Sequence, residues 1–165
     1  MSFEASIKLL NASVADELAA VHQYMYFHFH LDDLGFEPLA KLFKRTAITE
    51  MGHVEQLADR ILFLKGDVEM VPAFPVEKIT DPAAMLAKAV EMERASAQDY
   101  NRAAQECGAN ADAASKQIFE HLVGDEEGHQ DAFEKQLDNI NRFGLNYLAL
   151  QSFGATPETT GAPQS

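Results

Sequence analysis

The pattern Glu-x-x-His occurs twice, as Glu50-Met51-Gly52-His53 and as Glu126-Glu127-Gly128-His129, with the two copies 76 residues apart. The same shift carries Glu17 onto Glu93, Tyr24 onto Tyr100 and Gly52 onto Gly128. Residues three apart lie on one face of a helix, so each Glu-x-x-His can grip one ion. One copy would carry little weight, because helices are rich in Glu. Two copies on a common offset, each with a further Glu 33 residues ahead, imply two helical hairpins related by an approximate two-fold axis.

Apolar spacing agrees with this and predicts an all-α chain, since no segment alternates as a half-buried strand would. A first helix is expected from about Glu4 to Leu34, with Leu10, Val14, Leu18, Val21, Tyr24 and His28 on its stripe and Gly35 at its end. Pro38 opens a second, running to Gly66 through Leu39, Leu42, Leu57, Ile61 and Leu64. Asp81-Pro82 caps and starts a third that ends near Gly108, and a fourth runs from about Asp112 to Phe143. Between Gly66 and Asp81, Pro72 and Pro75 interrupt any periodicity, and about 15 residues at up to roughly 3.3 Å each can run the length of a bundle. The chain therefore reads as a four-helix bundle with a long crossover between the second and third helices, followed by a short fifth helix over Leu145 to Leu150. Residues 1–153 form one domain, and the Gly-, Pro- and Thr-rich tail 154–165 is expected to be disordered. The run Tyr24 to Phe29 is apolar around most of its helix, which calls for a second buried face, such as another subunit.

With the loop near residue 35, Glu17 and Glu50 stand at similar heights on antiparallel helices, about 20 to 24 Å from the turn. Each paired glutamate also interrupts an apolar stripe: Glu17 between Val14 and Val21, Glu50 in line with Leu57, Glu93 between Ala89 and Tyr100, Glu126 between Leu122 and Phe133. Four carboxylates converging in an apolar interior repel one another and carry a large desolvation cost unless cations neutralise them. Two metal ions with bridging carboxylates satisfy the charge, and His53 and His129 complete a site suited to iron. Glu91 lies on the opposite side of its helix and reads as a solvated charge, while His22, His28, His30 and His121 fall outside the repeat.

The remaining composition narrows the partners. A formal charge of −13, with 13 Lys and Arg scattered along the chain, favours cations over nucleic acid. No apolar run approaches the roughly 20 residues that span a bilayer. The opening Met1-Ser2-Phe3-Glu4 shows no secretory leader, and the lone Cys107 fits a reducing, cytoplasmic setting. A single Cys also cannot supply the four-thiolate site of rubrerythrins.

The ligand spacing, with Asp16-Glu17-Leu18, Asp125-Glu126-Glu127-Gly128-His129 and Gly144-Leu145-Asn146-Tyr147-Leu148, resembles the bacterioferritin family of the ferritin superfamily from about Ile7 to Gln151. That resemblance implies a ferroxidase centre in which Glu17 and His53 hold one iron, Glu93 and His129 hold the other, and Glu50 and Glu126 bridge them. It implies oxidation of Fe(II) by O2 or H2O2, with storage of the ferric product in a hollow homo-oligomer of twelve or twenty-four subunits. It also implies a haem shared by two subunits through Met51 of each. Where the family carries His and acidic residues for an inner-surface iron site, this chain has Lys44, Arg45, Thr46 and Thr49, which puts that site in doubt. Tyr24 and Tyr100, two turns past Glu17 and Glu93, are placed to hydrogen-bond a carboxylate of the opposite half, and Asp125 to orient a histidine. The competing readings are a rubrerythrin-like or manganese peroxidase or catalase on the same bundle, and a non-catalytic shell that shields DNA.

Overall fold

The computed structural model describes residues 2–154; the tail expected to be disordered, from 155 onward, lies outside them. Five helices follow in order: α1 Glu4–Asp33, α2 Glu37–Phe63, α3 Pro82–Ala109, α4 Ala113–Phe143 and α5 Asn146–Phe153. The pairs α1/α2 and α3/α4 form two hairpins that pack into a four-helix bundle. Asp81 and Asp112 cap α3 and α4, their carboxylates accepting from Ala84 N and Ser115 N.

The interior seams repeat every seven residues. Leu10, Glu17, Tyr24 and Leu31 are buried along α1, and the 76-residue shift maps them onto Leu86, Glu93, Tyr100 and Cys107 of α3, all buried. Phe43, Glu50 and Leu57 of α2 map in the same way onto Phe119, Glu126 and Phe133 of α4. A seven-residue repeat is the signature of helices that wrap each other left-handedly. This corrects the stripe expected for α1: Phe27 and Leu31 fill the core, whereas Leu18, Val21 and His28 are only partly buried. Nδ1 of His28 lies 2.8 Å from Ala40 O.

The crossover lies along α1, held by side-chain amides. Asn11 donates to Asp67 O at 2.9 Å and accepts from Glu69 N at 2.9 Å. Gln23, wholly buried, donates to Glu77 O at 3.0 Å and accepts from Glu77 N at 2.8 Å, and Ala73 N donates to Ala15 O. Stepping from Asn11 to Gln23 covers roughly 18 Å of helix, so the strap carries the chain from one end of the bundle toward the other. The α2 helix stops at Phe63, three residues before the expected Gly66. Lys65 takes the left-handed conformation there, at φ 66°. Gly66 instead provides space, since a Cβ on it would stand 2.8 Å from Cγ2 of Ile7.

Candidate metal centre

The core is built as two apolar blocks. One contains Tyr24, Phe27, Phe43, Met85, Leu86 and Phe133; the other contains Leu10, Val14, Leu57, Ile61, Tyr100 and Phe119. On every helix the gap between the blocks is filled by the residues of the repeat: Glu17, Glu50 and His53, Glu93, Glu126 and His129. The four carboxylates are no more than 2% exposed.

These six residues form two overlapping groups whose potential ligand atoms lie within 4.8 Å of one another: Glu17, Glu50, His53 and Glu126, and Glu50, Glu93, Glu126 and His129. Glu50 and Glu126 belong to both. Nδ1 of His53 stands 3.2 Å from Glu17 Oε1, 2.9 Å from Glu50 Oε2 and 3.1 Å from Glu126 Oε1. Nδ1 of His129 stands 3.0 Å from Glu50 Oε1, 3.5 Å from Glu93 Oε2 and 3.9 Å from Glu126 Oε1. One ring nitrogen cannot serve three carboxylates, and Glu50 Oε2, Glu93 Oε2 and Glu126 Oε1 are buried without a hydrogen bond.

Around this centre, Tyr24 donates to Glu93 Oε1 at 2.5 Å, and Tyr100 donates to Glu17 Oε1. Each phenol thus reaches across to the other hairpin, as the spacing suggested. Nε2 of His53 faces outward, 2.9 Å from Asp125 Oδ2. Burial, with the neighbouring charges of Glu17 and Glu93, raises the pKa of Glu50 well above the usual carboxylate range. Burial also raises Glu126, against the neighbouring His53 ring, which opposes it. For His53 burial works against the charged ring, but the carboxylates of Glu126, Glu17 and Glu50 crowded around it outweigh that and the pKa rises. His129 is raised in the same way by Glu93, whose own pKa is lowered. Protons held in this way stand in for the positive charge that the carboxylates require.

A cavity of about 150 Å³ opens between α1 and α3 and reaches this layer, lined among others by Asp16, Phe74, Lys88, Glu91, Glu93 and Glu126. Asp16, its pKa raised to about 6 by burial, Asp99 and Glu17, has no counterpart in the repeat, since the shift maps it onto Met92. Sequence spacing therefore gave no signal for it. Met51, next to Glu50, points off the bundle and is 50% exposed. The other histidines stand apart: His22 and His121 are exposed, and His121 lies 3.6 Å from Asp125. Glu91 is exposed on its helix, though it lines the cavity mouth.

Comparison with known proteins agrees with this architecture. A family model described as a ferritin-like domain matches residues 7–143. The bacterioferritin of Rhodobacter capsulatus is 37% identical over 145 residues, 87% of this chain and 89% of that protein. That of Desulfovibrio desulfuricans is 32% identical over 155 residues, 94% of this chain and 86% of that protein. The crystal structure of the Desulfovibrio protein, solved with its diiron site in different catalytic states, superposes with a TM-score of 0.89 at 30% identity, covering 98% of this chain and 93% of that one. The Rhodobacter structure, with a metal-free dinuclear site and a haem iron on a crystallographic special position, gives 0.88 at 33% identity, covering 98% and 100%. The chain belongs to the bacterioferritin family of ferritin-like proteins.

Proposed function

We propose that this chain is a ferroxidase and iron-storage subunit. It binds two Fe(II) ions among Glu17, Glu50, His53, Glu93, Glu126 and His129, and O2 or H2O2 takes up their electrons. The ferric product is stored in the cavity of a homo-oligomer of twelve or twenty-four copies. The observation that carries this reading is the layer of buried carboxylates whose oxygens Glu50 Oε2, Glu93 Oε2 and Glu126 Oε1 have no hydrogen bond, facing two imidazoles. Hard oxygen donors with two nitrogens suit iron, and neutralising this much buried negative charge calls for a pair of cations.

The chemistry supplied there is the loss of one electron per ion from Fe(II) to the oxidant. The protein's part is to hold and shield. Glu17 and His53 would hold one ion, Glu93 and His129 the other, and Glu50 and Glu126 both. Tyr24 and Tyr100 fix the orientation of Glu93 and Glu17. The apolar blocks on either side keep water from the layer, while the acidic mouth formed by Asp16 and Glu91 draws cations toward it. Cation binding displaces the protons on Glu50, Glu126 and the imidazoles.

Anaerobic titration of the metal-free protein with Fe(II), followed by oxygen, tests this reading. The expected result is a fast oxidation phase that saturates at two ions per chain, then slower mineral growth in the assembled protein. Rapid peroxide turnover with no mineral would instead favour the peroxidase or manganese reading.

Haem shared between two copies is part of the proposal. Met51 and Ile48, on one face of α2, are 50% and 53% exposed and offer a thioether beside an apolar surface. Reconstitution with haem is expected to shift the Soret band in the native chain and to fail in Met51→Leu. No described helix is long and apolar enough to cross a membrane. Cys107 is buried and unpaired, which suits the cytoplasmic setting that iron storage would require.

A further inference from the structure

The 76-residue repeat reproduces all six candidate ligands and both tyrosines, but not the residue that precedes each Glu-x-x-His. Asp125, one residue before Glu126, lies beside Nε2 of His53; the corresponding residue, one before Glu50, is Thr49. Thr49 carries no charge, and its hydroxyl already donates to Arg45 O at 3.2 Å. His53 is therefore held at both ring nitrogens and its side chain is 4% exposed. The contacts of His129 to Glu50, Glu93 and Glu126 all run through Nδ1, and its side chain is 17% exposed.

A carboxylate on the outer nitrogen of a metal-binding imidazole fixes its tautomer and orientation and makes the inner nitrogen a stronger donor. From this broken symmetry we infer that the two metal positions are unequal: the one on the His53 side binds first and tightly, and the one on the His129 side is the exchangeable one. Thr49 and Asp125 are the positioning residues that set the difference. The inference rests on the dinuclear reading above. It adds an order of filling and a direction of exchange, with the ion at His129 leaving first.

The test uses Co(II), a redox-stable stand-in followed by calorimetry and visible absorption, on the assembled metal-free protein. The native chain is expected to take up two ions in two resolved steps. Asp125→Asn should weaken the first step by about 10- to 100-fold. Thr49→Asp, at an exposed position, should tighten the second step by a similar factor and draw the two together. Repulsion between two bound dications also separates steps, but that separation would not respond to residue 49. Two steps left unmoved by Thr49→Asp, or an Asp125→Asn variant that weakens both equally, would overturn the inference while leaving the dinuclear centre intact. A native chain that binds no Co(II) and no Fe(II) would overturn both.

Discussion

Glu126→Ala, and equally Glu50→Ala, is expected to lower the initial rate of Fe(II) oxidation by at least about a hundredfold, more than the loss of an outer-shell partner usually does. The reason lies in how the ligand atoms are shared. Glu50 and Glu126 belong to both four-residue groups, so removing either strips a donor from each position and takes away the charge that makes a second cation tolerable. Glu17 and His129 each belong to one group. Their alanine variants should fall from two bound ions per chain to one while the other position still fills. Stopped-flow absorbance at 25 °C, with anaerobic Fe(II) titration of the same preparations, separates the two patterns. Rates unchanged in Glu17→Ala and His129→Ala would remove the ferroxidase assignment.

The metal-free protein should become more stable when a buried carboxylate is neutralised. Glu50 and Glu126 have raised pKa values against a reference of 4.5, and His53 and His129 raised values against 6.5, so the folded state binds more protons than the unfolded one. Their contribution is fully present below those reference values and fades as pH rises past 4.5 for the carboxylates and past 6.5 for the imidazoles. Glu93, lowered, runs the other way and offsets part of it. Chelator-treated protein should thus melt at lower temperature at pH 8 than at pH 6. Glu126→Gln should recover on the order of 5 °C at pH 8, since it removes a carboxyl that must take up a proton on folding at that pH, a cost of a few kcal/mol. Added metal should raise the melting temperature of the native chain far more than that of Glu126→Gln. A native metal-free melt that rises with pH would contradict the charge account.

Much of this was legible in the sequence because the chain states its central layer twice. Glu50 and His53 alone could have been an ordinary surface pair; the shift to Glu126 and His129, with Glu17 and Glu93 following, made chance a poor explanation. The crossover was legible from Pro72, Pro75 and its length. What holds it to α1 was not, because Asn11 and Gln23 look like ordinary helix polars until the path of the strap brings backbone to them. The α1 stripe went astray beyond Glu17 because steps of three and four chosen by apolarity drift off a strict seven-residue seam, on which Leu31 replaces His28. Asp16 and the cavity beside it arise from how α1, α3 and the strap meet, and no periodicity encodes that. Lys65 shows the same limit locally: an L-residue accepts the left-handed turn while the glycine beside it answers to crowding by Ile7.

Splitting the oily interior into two tiers with a salty waist turns an ordinary bundle upside down. Most helical proteins are firmest at mid-height and fray at their tips; this one keeps its greasy grip toward the ends and, on the proposed reading, would entrust the middle to ions it does not permanently own. Charging it with cargo and tightening it would then be a single event, and emptying it would loosen first the storey that holds the cargo.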